Sequence, residues 1–298
     1  MTLIKVFHNP TAGEAEHTKE KLVRKIKSAG FECSYSSTKK EISEKRIPES
    51  TDIIAVAGGD GTVRKIAEYY CSGKVLNRRH PLALLPWGTA NNIAKTLGIQ
   101  GEPDEIIERW KLDNRQNFDI GKVHGLKDNY FFLEAIGFGV FPKLIKTMRD
   151  RINKANSPAE EIEIALKTLR GIVEEYKPKS CEVNIDGEIY NGKFLMVEVT
   201  NIRSIGPNLN IAPMSHFDDG EFDVIMISES QREALLSYID DRMTNGKETP
   251  FFYTSLKARK VELNWGGKLM HVDDELIELD KFQKLEIEIL RDVLTFLV

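Results

Sequence analysis

A chain of 298 residues, 41% hydrophobic and 30% charged, suits one large domain or two ordinary ones and can bury a full core without staples. A net charge of −4 gives no footing for nucleic acid, and no apolar run approaches membrane-spanning length. Cys33, Cys71 and Cys181 are scattered without metal-type spacing, so they read as reduced thiols of a cytoplasmic protein, and residues 1–5 lead into a strand without the marks of a signal peptide.

Residues 3–7 read as a first strand, ending in a loop with turn-forming Asn9, Pro10 and Gly13. Residues 14–29 carry Leu22, Ile26 and Ala29 on one helical face, with Gly30 as the stop. Residues 31–35 read as a second strand, with Ser36, Ser37 and Thr38 at its end. The continuous apolar run 53–57 predicts a buried third strand. Gly58-Gly59-Asp60-Gly61-Thr62 follows, and then a helix carrying Val63, Ile66, Ala67 and Tyr70. A Gly-rich turn that opens a helix aims backbone N–H groups at one point, which suits a phosphate; a carboxylate there suits a shared cation. Residues 81–85 make a fourth strand, followed by the loop 86–92 and a short helix 93–97. Strands alternating with helices predict a parallel α/β sheet, and four polar loops would face its ligand-binding edge. Neither the P-loop pattern nor the dinucleotide glycine pattern is present.

The second half changes character. A short helix at 102–110 and a polar link near 113–117 lead to a strand at 118–123 and an apolar stretch at 130–140. A long amphipathic helix spans 160–176, and another helix spans 231–243. The remainder reads as strands at 181–185, 188–190, 194–200, 222–227, 260–263, 269–272 and 285–290, with hairpin chemistry at Asp186-Gly187 and Gly266-Gly267. The expected organisation is an α/β nucleotide-binding domain over 1–117 and a β-rich sandwich over 118–290, with a tail from about 291 packing back on the first. His80 and His124 read as solvated loop residues, and Trp110 and Trp265 as packing residues.

The loop Asn9-Pro10-Thr11-Ala12-Gly13, the Gly58–Thr62 turn, Pro86-Trp87-Gly88-Thr89-Ala90-Asn91 and Asp218-Asp219-Gly220-Glu221 together resemble the ordered signatures of the diacylglycerol kinase catalytic-domain family, which includes sphingosine and ceramide kinases. The resemblance runs from Asn9 to about Glu275. It implies an NAD kinase-like α/β domain followed by a β-sandwich that carries the lipid-acceptor site. It also implies ATP as phosphoryl donor, with phosphates on Gly58, Gly59, Asp60, Gly61 and Thr62. Asn9, Pro10, Thr11, Ala12, Gly13, Thr38, Val63, Arg64, Lys65, Gly88, Thr89 and Asn91 would line the nucleotide. By the same resemblance Mg²⁺ sits near Asp60, with Asp119 in a water-bridged acidic network. A second, structural Mg²⁺ would take the Asp219 side chain and backbone oxygens of His216 and Glu221.

The attacking lipid hydroxyl needs a base. The family's late Asp-Gly-Glu falls on Asp273-Asp274-Glu275, which makes Asp273 the expected base; Asp186-Gly187-Glu188 matches the tripeptide better but sits where a hairpin turn is expected. Three positions depart from the family pattern: Asn92 stands in place of an acid, Glu14 in place of a basic residue, and Asp274 in place of glycine. Phe131, Phe132, Phe138, Phe141 and Ile145 read either as an acyl-chain lining or as ordinary core. The leading expectation is therefore an ATP-dependent lipid kinase, cytoplasmic and peripherally membrane-associated, acting between its domains; the reading allows a homodimer. The alternatives are a non-catalytic nucleotide-binding or regulatory protein, and an NAD-kinase-like phosphotransferase. An Asn-Glu pair, usual in NAD kinases, is absent from the chain.

Overall fold

The computed structural model describes residues 1–12, 18–39, 47–71, 80–128, 130–151, 155–245, 251–280 and 283–298. The chain forms two compact units, Met1–Phe118 with Asp292–Val298, and Asp119–Arg291.

In the first unit, strands β1 (Leu3–His8), β2 (Glu32–Ser37), β3 (Ile53–Gly58) and β4 (Leu82–Pro86) are all parallel, in the order β2-β1-β3-β4. The end of the chain's last strand adds Phe296 and Leu297 alongside β4, also parallel. Every residue of β3 is buried, as its unbroken apolar run requires of a central parallel strand. The helices are α1 (Lys19–Ser28), α2 (Asp60–Cys71), α3 (Asn92–Thr96) and α4 (Pro103–Arg109). Thr18 caps α1 by accepting the Lys21 N–H, and residues 14–17 of the expected helix lie outside the described residues. Trp110 is buried beside the Phe31 ring.

The second unit is built on β5 (Arg115–His124), β6 (Tyr130–Phe132), β7 (Ala135–Gly139), β8 (Lys179–Ile185), β9 (Glu188–Thr200), β10 (Phe222–Ser228), β11 (Thr254–Ala258), β12 (Lys260–Trp265), β13 (Leu269–Val272), β14 (Glu275–Glu278) and β15 (Lys284–Leu297). Helices α5 (Val140–Arg149), α6 (Pro158–Glu175) and α7 (Arg232–Asn245) accompany them. The strand path runs β14-β13-β7-β9-β8-β12-β15, with β10 pairing β9 and β11. The 13-residue β9 joins the parts: its first half pairs β8, and its second half lies between β7 and β10. One apolar core joins alternate residues of these strands, Phe132, Phe138, Val183, Val197, Phe222, Leu263 and Trp265 among them. A second core lies under the helices, with Phe141, Leu144, Leu169, Leu195, Ile225 and Ile239.

Several expectations change. The polar link near 113–117 is strand from Arg115 onward, because β5 continues through it. Gly266-Gly267 does not close a hairpin: β12 pairs β8 and β15, whereas β13 pairs β7 and β14. Asp186-Gly187 does close one, between β8 and β9, with φ of 47° and 101°. Helix α5 occupies residues for which no helix was expected. Phe132 and Phe138 belong to the sandwich core and Phe141 to the helix-side core, so these rings are packing residues.

Candidate active-site residues

In the first unit the loops after β1, β2, β3 and β4 meet at the carboxyl edge of the sheet, where parallel sheets bind ligands. Asn9 donates its backbone N–H to Ala57 and reaches Thr62 Oγ1 with Nδ2 at 3.4 Å, while its Oδ1 accepts from the N–H and hydroxyl of Thr11. The Thr38 N–H bonds the His8 carbonyl, which brings the end of β2 to the same edge. Gly59 and Gly88 touch backbone to backbone: a Cβ on Gly59 would lie 2.8 Å from Gly88 Cα, and one on Gly88 would lie 2.3 Å from Gly59 Cα. Glycine is required here for the packing of one loop on the other. A Gly59→Val change would therefore separate the loops. Asn91, at φ 53°, ties its own loop by accepting the Gly88 N–H and donating to the Pro86 and Gly88 carbonyls. Thr62 and Val63 are buried, whereas Lys65 and Thr89 are exposed. Gly13 and Glu14 lie outside the described residues.

Asp60 opens α2, yet its carboxylate serves α3. Oδ2 accepts the Asn92 N–H at 2.9 Å, and Oδ1 accepts the Ile93 N–H at 3.0 Å. Burial pushes the Asp60 carboxyl up from its ordinary value, against the lowering pull of these two N–H groups and of Lys95. The two oxygens have four lone-pair sites between them, of which the backbone N–H groups of Asn92, Ile93 and Asp60 itself take three. A Mg²⁺ in a nucleotide site needs only one or two carboxylates besides phosphates, so Asp60 fits that role. Asn92 is buried.

In the second unit Asp119 is buried on β5. Its Oδ2 accepts the Gly220 N–H at 2.9 Å, which fixes the Asp218–Gly220 loop, and its carbonyl accepts from Asn201 Nδ2. Asp219 Oδ1 accepts the Glu221 N–H, and Oδ2 lies 2.8 Å from Lys257 Nζ. The same ammonium reaches Asp223 at 3.1 Å. Lys257 pairs with Asp219 and Asp223 and Arg259 with Glu221, and no group of three or more metal-type side chains occurs among the described residues. The Lys257 ammonium thus holds the carboxylate that the expected second Mg²⁺ would take. Replacing Lys257 by Met is expected to lower the melting temperature by about 5 °C. Millimolar Mg²⁺ should restore part of that loss in the variant and leave the parent unchanged; a parent that melts lower in EDTA would place a metal at this loop after all.

Asp273 follows β13 at φ 50° and is buried. Its N–H bonds the Ala135 carbonyl. Its Oδ1 accepts the N–H groups of Leu133, Glu134 and Ala135 at 3.2, 2.8 and 3.2 Å, and Oδ2 accepts from Leu133 at 3.0 Å. Asp186, by contrast, accepts the Arg259 and Lys260 N–H groups at the start of β12, the strand beside β8. Sequence reasoning missed Lys257, Asn201, Glu198 and His271. A lone Glu inside the apolar run of β9 was the one available signal.

Residues 4–123 match the family described as diacylglycerol kinase catalytic domain, and residues 146–280 match the YegS C-terminal NAD kinase beta sandwich-like domain. A curated diacylglycerol kinase of Bacillus subtilis (strain 168) is 25% identical over 293 residues, covering 92% of this chain and 90% of that protein. One of Staphylococcus aureus (strain MRSA252) is 24% identical, covering 89% and 87%. A crystal structure of a diacylglycerol kinase from Bacillus anthracis str. Sterne superposes with a TM-score of 0.70 at 22% identity, covering 99% of this chain and 96% of the other. A second structure from that organism gives 0.74 at 21%. No described helix is long and apolar enough to cross a membrane.

Proposed function

The chain belongs to the diacylglycerol kinase catalytic-domain family, and from that premise we propose that it is an ATP-dependent kinase that phosphorylates a lipid hydroxyl. The observation that carries the proposal is the convergence of the Asn9, Gly58–Thr62 and Gly88–Asn91 loops, two of them packed glycine on glycine, beside the start of α2. Backbone N–H groups at a helix start suit the phosphates, and Asn9, Thr11, Thr38, Thr62, Lys65 and Thr89 offer side-chain partners nearby. Asp60 would hold Mg²⁺, which supplies neutralisation of phosphate charge when bound. Asp273 would take the proton of the acceptor hydroxyl during phosphoryl transfer. Asp119 holds the Asp218–Gly220 loop by its bond to Gly220.

The test is incubation with ATP, Mg²⁺ and a lipid extract, followed by mass spectrometry of the lipids. Diacylglycerol is the first pure acceptor to try, because the curated relatives are named for it. A lipid gaining one phosphate is the expected result. Tight ATP binding with no phosphorylated lipid would favour a nucleotide-binding protein without catalysis.

Asn92 gives a second prediction. Its backbone bonds Asp60 and its side chain is buried, so Asn92→Asp sets a second acid beside the first. Two adjacent buried acids repel unless a cation lies between them. The variant is expected to melt lower than the parent without Mg²⁺ and to regain stability with it. Equal melting in both conditions would mean that this position does not sense the metal.

A further inference from the structure

Glu198 stands inside β9 with no exposed surface, between Val197 and Val199. A carboxyl there is costly unless it is paired. Its Oε2 lies 2.9 Å from His271 Nε2 on β13, and its Oε1 is buried with no hydrogen-bond partner. Strand β7 runs between the two, and Gly137 faces both in register. A Cβ at 137 would fall 1.9 Å from Glu198 Oε2, so the pair occupies the space a side chain there would need. The Phe141 ring covers His271 edge-on, with centroids 6.3 Å apart.

The other ring nitrogen, Nδ1, lies 2.7 Å from the backbone carbonyl of Asp273. A carbonyl only accepts, so Nδ1 carries a hydrogen and donates it. Nε2 and Glu198 Oε2 then share one proton, and the pair is net neutral whichever atom holds it. Burial pushes the Glu198 carboxyl up from its ordinary value, against the pull of His271. An unpartnered Oε1 is also cheaper on a neutral acid than on a carboxylate. Either placement of the proton fixes the ring orientation and leaves Nδ1–H aimed at Asp273.

Asp273 needs such support. A non-glycine residue at φ 50° is in a sparsely populated conformation that its surroundings must hold. The three N–H groups from Leu133 to Ala135 hold its side chain, and His271 holds its carbonyl.

We propose that Glu198 and His271 are positioning residues for Asp273: a buried two-bond relay that locks the turn on which the candidate base sits. The proposal rests on the reading of Asp273 as the base, and its test separates the two. His271→Asn places an amide donor where Nδ1 stands, whereas His271→Gln places it where Nε2 stands. Both keep a polar amide in the same space. Glu198→Gln keeps a donor to Nε2.

Hydrogen exchange of the peptide carrying the Leu133, Glu134 and Ala135 amides reports whether Asp273 is held, whether or not a lipid is turned over. His271→Gln is expected to speed that exchange about tenfold, the worth of one buried hydrogen bond. His271→Asn and Glu198→Gln should stay within about threefold of the parent. In the lipid assay the kcat should fall in the same order with the KM for ATP unchanged. If the Asn and Gln variants at 271 exchange alike, the pair is packing only and the proposal is overturned. If exchange follows the expected order but the parent phosphorylates no lipid, the relay stands and the kinase reading fails.

Discussion

Replacing Asp273 by Asn is expected to lower the lipid phosphorylation rate by at least about 100-fold while costing little of the fold. A glycerol or sphingoid hydroxyl is far too weak an acid to ionise near neutral pH, so a carboxylate that accepts its proton during attack carries much of the rate. The two oxygens of Asp273 are not equivalent. Oδ1 accepts three backbone N–H groups and is structurally committed, whereas Oδ2 accepts the Leu133 N–H and is the oxygen proposed to take the proton. An asparagine can set its carbonyl oxygen at the Oδ1 position and keep all three donors satisfied. Its NH₂ then replaces Oδ2, and the base is lost. Asp186→Asn serves as the control, because that carboxylate bonds Arg259 and Lys260 in a hairpin turn and its loss should show in melting and not in rate. Asp274→Asn should have a smaller effect than Asp273→Asn, since the described bond at Asp274 uses its backbone carbonyl, which accepts from Arg149. Initial rates and melting curves of the three variants decide the matter. A dead Asp186 variant beside an active Asp273 variant would place the base on the hairpin.

What the sequence made legible was local. An unbroken apolar run followed by Gly58-Gly59-Asp60-Gly61-Thr62 specifies a buried strand, a turn and a helix start within twenty residues, and β3 and α2 appear there. Asp186-Gly187 identified its hairpin because the two positive φ values need those residue types. What remained hidden depends on partners distant in the chain. Helix α5 follows directly on the apolar β7, so its own helical face, Val140, Phe141 and Leu144, merged with the strand pattern. Strand β14 is four residues with none fully buried, and it exists because β13 pairs with it. The close packing of Gly59 on Gly88 was hidden, because that contact joins loops that follow two different strands. Lys257 was invisible as the partner of Asp219, 38 positions away. The capping role of Asp60 was hidden as well, since nothing in its spacing reveals the two N–H groups of α3 that it accepts.

The cap it gives α3, together with its proposed metal role, makes Asp60→Ala the change expected to harm the first unit most. Helix α3 is five residues long, and Asn91 before it makes no side-chain cap. Its start depends on Asp60, and alanine would leave the Asn92 and Ile93 N–H groups without that partner. Two unsatisfied buried donors cost about 2–4 kcal/mol together, enough to lower melting by about 10 °C. The loop Gly88–Asn91 leads into these residues and packs on Gly59, so its displacement should also weaken ATP binding by at least about tenfold, the equivalent of 1.4 kcal/mol. Asp60→Asn separates the cap from the charge. Its carbonyl oxygen can accept one of the two N–H groups, so about half the stability loss should remain, whereas a Mg²⁺ held by the carboxylate loses its ligand altogether. Titration calorimetry with ATP alone and with ATP-Mg²⁺ gives the decisive comparison. If the Asn variant loses the gain in affinity that Mg²⁺ confers on the parent, Asp60 carries the ion as well as the helix. If it binds ATP-Mg²⁺ as the parent does while the Ala variant fails with both, Asp60 is a cap for α3 and the metal has another ligand.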